Sequence, residues 1–158
     1  MLMRLAALAL AFALAAPASA QDTRGLMMVF KTKAKYEDVK EDVANAVTKR
    51  GLVIDYTGHI GAMLDRTAKD VGATKKIYAQ AEAMQFCSAT LSRKMMEADP
   101  TNIAFCPYVI VVYSLASDPS VVYVAYRRPQ IGGSPASQAA LKAVGELMRD
   151  IVRDAIKQ

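Results

Sequence analysis

The residues YVIVVYSL (Tyr108–Leu115), the polar group Ser117-Asp118-Pro119-Ser120 and the residues VVYVAYR (Val121–Arg127) decide the fold. Both apolar stretches are rich in valine and tyrosine, which suit a pleated, half-buried surface. Asp, Pro and Ser between them are turn formers. The pattern predicts a β-hairpin in the middle of a sheet. A hairpin is antiparallel, which excludes an all-parallel, doubly wound architecture. No GxGxxG or GxxxxGK[ST] follows any apolar stretch, so the phosphate-cradling loops of nucleotide folds are missing too.

Working outward, GLMMVFKT (Gly25–Thr32) reads as a first strand. Tyr36 to Arg50 carries Tyr36, Val39, Val43 and Val47 at steps of three and four, which predicts an amphipathic helix. Glu37, Asp38, Glu41 and Asp42 in its first half and Lys49-Arg50 at its end suit the helix dipole, and Gly51 is a natural stop. Leu52–Tyr56 is a second strand. A short helix over Gly61–Val71 follows, with Ile60, Leu64, Thr67 and Val71 as its inner face. Lys76–Phe86 has alanines that favour helix, but its strict alternation favours strand, and strand is adopted. Ser88–Ala98 is a helix closed by Asp99-Pro100, and Ala136–Ile156 a last helix with Leu141, Val144, Met148, Ile151 and Ala155 as its stripe. The order β-α-β-α-β-α-β-β-α predicts an α+β two-layer sandwich, a mainly antiparallel sheet with helices on one face.

The first twenty residues are of another kind. Arg4 precedes an apolar run from Leu5 to Ala16, and Ala18-Ser19-Ala20 supplies small residues at a cleavage site. That is the form of a secretory signal peptide, too short to span a bilayer. Cleavage after Ala20 of the 158-residue chain leaves 138 residues, one α+β domain over positions 21–158. The expected location is a bacterial periplasm. No further stretch has membrane length, and no nucleic-acid partner is expected in that compartment. The net charge of +5 becomes +4 once Arg4 is removed. Such mild basicity describes a solvated surface, or a preference for anionic partners.

Few residues carry chemistry. Cys87 and Cys106 bracket a methionine-rich helix. A helix of about twelve residues travels ~18 Å, and the residues after Pro100 can return ~23 Å, so the two cysteines can meet. An even count in an oxidising compartment favours a disulfide; a pair of free thiols, as ligands or a redox couple, and two unrelated buried cysteines stay open. His59, the only histidine, lies between Gly58 and Gly61, at the start of a helix that disfavours its charged form. Met63 is one helical turn on. A histidine and a thioether suit haem iron or copper, with Met95 and Met96 as further soft donors. Against this stand a hydrogen-bonded structural histidine and methionine as flexible core filler. Arg127-Arg128 and Arg93-Lys94 can each receive a carboxylate or phosphate, or can serve as a solvated basic edge. No GxSxG, CxxC, CxxCH or histidine cluster occurs, so no enzyme template is matched.

Phe86-Cys87-Ser88-Ala89, Met95-Met96-Glu97-Ala98-Asp99-Pro100, Cys106-Pro107-Tyr108-Val109-Ile110, Tyr126-Arg127-Arg128-Pro129 and His59-Ile60-Gly61-Ala62-Met63-Leu64 resemble bacterial, exported members of the "domain of unknown function 302" family. The resemblance spans about Gly25 to Pro129. It implies a small two-layer α+β domain that often dimerises, and it implies no settled activity. The family's Pro-Cys-type turn before the central hairpin is reversed here as Cys106-Pro107.

The sequence thus predicts an exported, non-enzymatic protein, a homodimer that binds a small molecule or metal. The expected ligand is haem or a soft metal held by His59, Met63, Met95 and Met96, with His59 and Met63 as metal ligands. A thiol-based redox enzyme or sulfur carrier using Cys87 and Cys106, and a disulfide-stapled interaction module, are the alternatives.

Overall fold

A computed structural model describes residues 25–156. The expected signal peptide lies outside the described residues. The chain runs β1 (Met27–Thr32), α1 (Tyr36–Thr48), β2 (Ile54–Gly58), α2 (Ile60–Thr67), β3 (Tyr78–Phe86), α3 (Ala89–Ala98), a short 3-10 helix (Pro100–Phe105), β4 (Tyr108–Leu115), β5 (Asp118–Arg127) and α4 (Pro135–Ile156). The five strands make one sheet in the order β1-β5-β4-β3-β2, every pair antiparallel. This is an α+β sandwich, and the β4–β5 hairpin occupies its interior, as the sequence predicts. No described helix is long and apolar enough to cross a membrane.

The core follows from period two. Along β4 burial alternates strictly, with Tyr108, Ile110, Val112 and Ser114 under the helical layer and Val109, Val111, Tyr113 and Leu115 half-buried on the other face. Met84 and Phe86 of β3 and Val122 and Val124 of β5 extend the buried row. Above it lie Val39, Val43 and Val47 of α1, at the predicted spacing, and Leu141, Val144 and Ile151 of α4. The two helices also touch each other, and an Arg50–Asp154 ion pair joins their ends. Gly51 closes α1 with φ of 70°, a conformation that glycine adopts without steric penalty.

Three local expectations are corrected. The second helix ends at Thr67 rather than at Val71, and it buries Gly61 rather than the expected apolar stripe. Val71 is 75% exposed. The cause is close approach: a Cβ on Gly61 would meet the Ala81 amide nitrogen of β3 at 3.0 Å. Residues after Pro100 are not extended but form the 3-10 helix, because Asp99 caps it by accepting from the Thr101 backbone at 2.9 Å and the Thr101 hydroxyl at 2.7 Å. The hairpin is tighter than expected, with Asp118 already paired to Leu115 and its carboxylate accepting from the Ser120 hydroxyl at 2.6 Å.

Ser114 sits on the buried face with its hydroxyl lacking a partner among the described residues. An unpaired buried hydroxyl costs on the order of 1–3 kcal/mol. Ser114→Ala should therefore raise stability by about 1 kcal/mol and Tm by about 2–4 °C. Calorimetry that finds a lower Tm would refute this.

Candidate functional site

Three places gather polar or reactive groups. The first is the junction of β2 and α2. His59 is the residue before α2, and its carbonyl accepts the first helical bond, from the Met63 amide at 3.0 Å. Its side chain makes no cap. It turns to β3, where Nδ1 lies 3.2 Å from Glu82 Oε1. Glu82 also faces Lys40 of α1, Nζ to Oε2 at 3.7 Å, and Lys40 bonds Glu37 at 2.6 Å. Glu37 in turn accepts from the Gln80 amide at 2.9 Å. The carboxylates raise Lys40 above its ordinary range, chiefly through the Glu37 bond. A carboxylate on one imidazole nitrogen fixes the ring and leaves the other nitrogen for a ligand. His59 is 67% exposed, however, and Met63 is exposed as well.

The other expected donors sit elsewhere. Met95 of α3 is wholly buried in the core, and Met96 packs against that core half-buried. Helix α2 rests on β3, whereas α3 rests on α4 and the 3-10 helix. The four residues expected as one ligand set are thus not assembled around one centre. Among the described residues no cluster of three or more His, Cys, Asp and Glu side chains could hold a metal ion.

The second place is the cysteine pair. Phe86 and Tyr108 are cross-strand partners, so Cys87 leaves β3 where Cys106 and Pro107 lead into β4. The sequence geometry is met: the sulfurs lie 2.7 Å apart, both half-buried. They are two thiols, since a disulfide bond measures about 2.05 Å. The expected bridge is therefore corrected to a facing dithiol. The Cys106–Pro107 peptide is cis. The Ser92 hydroxyl of α3 lies 3.7 Å from the Cys106 sulfur and 3.0 Å from the Tyr108 hydroxyl. Burial, then the neighbouring Cys106 and the Asp55 charge, push the Cys87 thiol up to about 12.

A raised thiol pKa has a definite sign. The folded state holds the proton more tightly, so its stabilising contribution is complete below the ordinary value of 9.0 and is lost as pH rises toward about 12. Reduced protein should lose stability between about pH 8 and pH 10.5, and Cys87→Ser should lose less over that interval. Urea midpoints at both pH values measure this; equal losses would refute it.

The third place is a cleft of about 540 Å³ at the end of the sheet, where β4 begins, β5 ends and β1 begins. Its lining includes Phe105, Tyr108, Val109 and Val111, Met27 and Ala125 of the neighbouring strands, and Val144 and Met148 of α4. Arg127, Arg128 and Gln130 stand among these apolar groups. The first two are exposed, and neither has a carboxylate partner among the described residues. The Arg128 guanidinium contacts the Met28 sulfur at 2.5 Å. Pro129, which follows the two arginines, is buried and packs near Gly145 of α4. Burial raises the Tyr126 phenol, and the charges of Arg149, Arg128 and Arg153 pull it back in part.

Sequence reasoning singled out Arg127-Arg128 but not the cleft. Its walls come from four separate segments and the 3-10 helix, and no local spacing reports that. Arg93, singled out in the same way, lies 3.5 Å from Glu97 on its own helix instead.

Residues 28–158 match the family described as "Domain of unknown function DUF302". No curated protein matches the chain. Among solved structures, the chain is similar to the crystal structure of an uncharacterised conserved DUF302 protein from Bacillus stearothermophilus. The TM-score is 0.68 at 10% identity, over 82% of this chain and 98% of that one. At that identity the likeness concerns the fold.

Proposed function

The chain belongs to the DUF302 family, and from that premise and the geometry of the cleft we propose that it is an exported, non-enzymatic binding protein for a small apolar molecule bearing a carboxylate or phosphate. One observation carries the reading: two exposed arginines without carboxylate partners among the described residues line a largely apolar cleft of about 540 Å³. Ligand sites are concave, mostly apolar and furnished with a few polar groups that orient the ligand. An arginine offers a planar fork of donors that matches a carboxylate or phosphate. Export rests on the first twenty residues of the sequence alone.

Haem shares this chemistry, being an apolar plate with two carboxylates. His59 and Met63, the iron ligands expected from sequence, do not line the cleft. The reading therefore favours the anionic head of the ligand over metal ligation as the source of affinity.

The test is calorimetric titration with dodecanoate and with dodecanol. The expected result is saturable binding of dodecanoate and at least tenfold weaker binding of the alcohol, since a charged hydrogen bond contributes about 1.5–3 kcal/mol. Equal affinity for the two, or no binding of either, overturns the proposal.

A further inference from the structure

The cleft uses neither sulfur of the cysteine pair, yet the pair is set up by the whole middle of the chain. Cys87 and Cys106 sit at one end of the β3–β4 ladder, beside the partners Phe86 and Tyr108. The intervening segment folds out as α3 and back as the 3-10 helix, which returns Cys106 to Cys87. The returning arm is fixed. Asn102 donates to the Met95 carbonyl and to the Ser137 hydroxyl, each at 2.8 Å, and the Cys106 amide donates to the Ile103 carbonyl at 3.0 Å. The sulfurs are 2.7 Å apart and the Ser92 hydroxyl is 3.7 Å from Cys106 alone.

We propose that Cys87 and Cys106 form a dithiol–disulfide couple that exchanges electrons with the disulfide of a partner thiol compound or protein, with Cys106 reacting first. The Cys106 thiol gives its proton to solvent, and its sulfur attacks one sulfur of the partner disulfide. A Cys106–partner disulfide forms and the partner's other sulfur leaves as a thiolate, which takes up a proton. Cys87 then loses its proton and attacks the Cys106 sulfur, and the partner's second sulfur leaves and is protonated. Two thiols of this chain are oxidised to one disulfide, and one partner disulfide is reduced to two thiols. Two electrons and two protons pass to the partner.

The order follows from position. The Ser92 hydroxyl can donate to a thiolate on Cys106. The Cys87 sulfur lies beside the Tyr108 backbone amide instead, and burial, the neighbouring Cys106 and the Asp55 charge push its thiol up. The attacking sulfur must be a thiolate, which favours Cys106 as the first and Cys87 as the resolving residue. This inference is independent of the cleft reading.

The test treats the reduced full chain with oxidised glutathione at about pH 8, followed by acid quenching and intact-mass measurement. Wild type should lose two hydrogens and carry no glutathione. Cys87→Ser should accumulate a lasting glutathione adduct on Cys106, and Cys106→Ser should form its adduct about tenfold more slowly, because the Ser92 hydroxyl stands beside Cys106 and not beside Cys87. Peptide mapping after brief alkylation of folded wild type gives the order without a variant, with Cys106 labelled before Cys87. The proposal is overturned if folded wild type keeps both thiols under glutathione, or if Cys87 is labelled first.

Discussion

Phe86→Ala should lower the folding stability by about 3–5 kcal/mol, the range for truncating a fully buried aromatic residue. Phe86 has no exposed surface. It ends β3 with Ile54 of β2 on one side and Tyr108 of β4 on the other. Its ring meets Tyr108 edge to face, with centroids 5.9 Å apart at 83°. That geometry is worth about 0.5–1.5 kcal/mol beyond the area it buries. Three hydrogen-bonded strands cannot close over the missing ring, so the cavity persists and the upper part of the range is expected. Urea unfolding should show a lower midpoint at unchanged slope. A loss under about 1 kcal/mol would mean that the strand ends collapse and are not a rigid frame for the cysteines.

The sheet was legible because most of its strands are rich in β-branched and aromatic residues and β3 alternates. The valine- and tyrosine-rich composition marked β4 as a strand, and the alternation of β3 outweighed the helix preference of its alanines. Those alanines gain their meaning from a partner the sequence cannot display: Ala81 is small because Gly61 of α2 rests on it. The same contact made the second helix the least legible element, since hydropathy marks large apolar residues and a seat built on glycine carries none. The meeting of Cys87 and Cys106 was legible from chain lengths alone, whereas their chemical state was not. The proposed ligand set of His59, Met63, Met95 and Met96 failed to assemble because sequence proximity to a helix says nothing of the layer it joins. Helix α2 rests on β3 and α3 on α4. Arg127 and Arg128 were noticed as a pair, and only the assembled sheet supplied the apolar cleft beneath them.

Replacing Arg127 and Arg128 together with alanine should weaken dodecanoate binding by a factor on the order of 100, with each single change giving about tenfold. The magnitude follows from what is lost. Each guanidinium offers charge-assisted bonds to the carboxylate, worth about 1.5–3 kcal/mol, and the exposure of both side chains keeps the effect toward the lower end. Raising the salt concentration should weaken binding to wild type and leave the double variant nearly unaffected, because screening acts only on the charged term. Arg93→Ala with Lys94→Ala removes two positive charges from α3, outside the cleft lining, and should leave affinity unchanged. This control separates the two candidate sources of affinity. If both pairs weaken binding equally, the net positive charge of the protein attracts the anion and the cleft is not its site. If only Arg127 and Arg128 matter while dodecanol binds no better than before, the apolar walls and the basic mouth act on the same molecule.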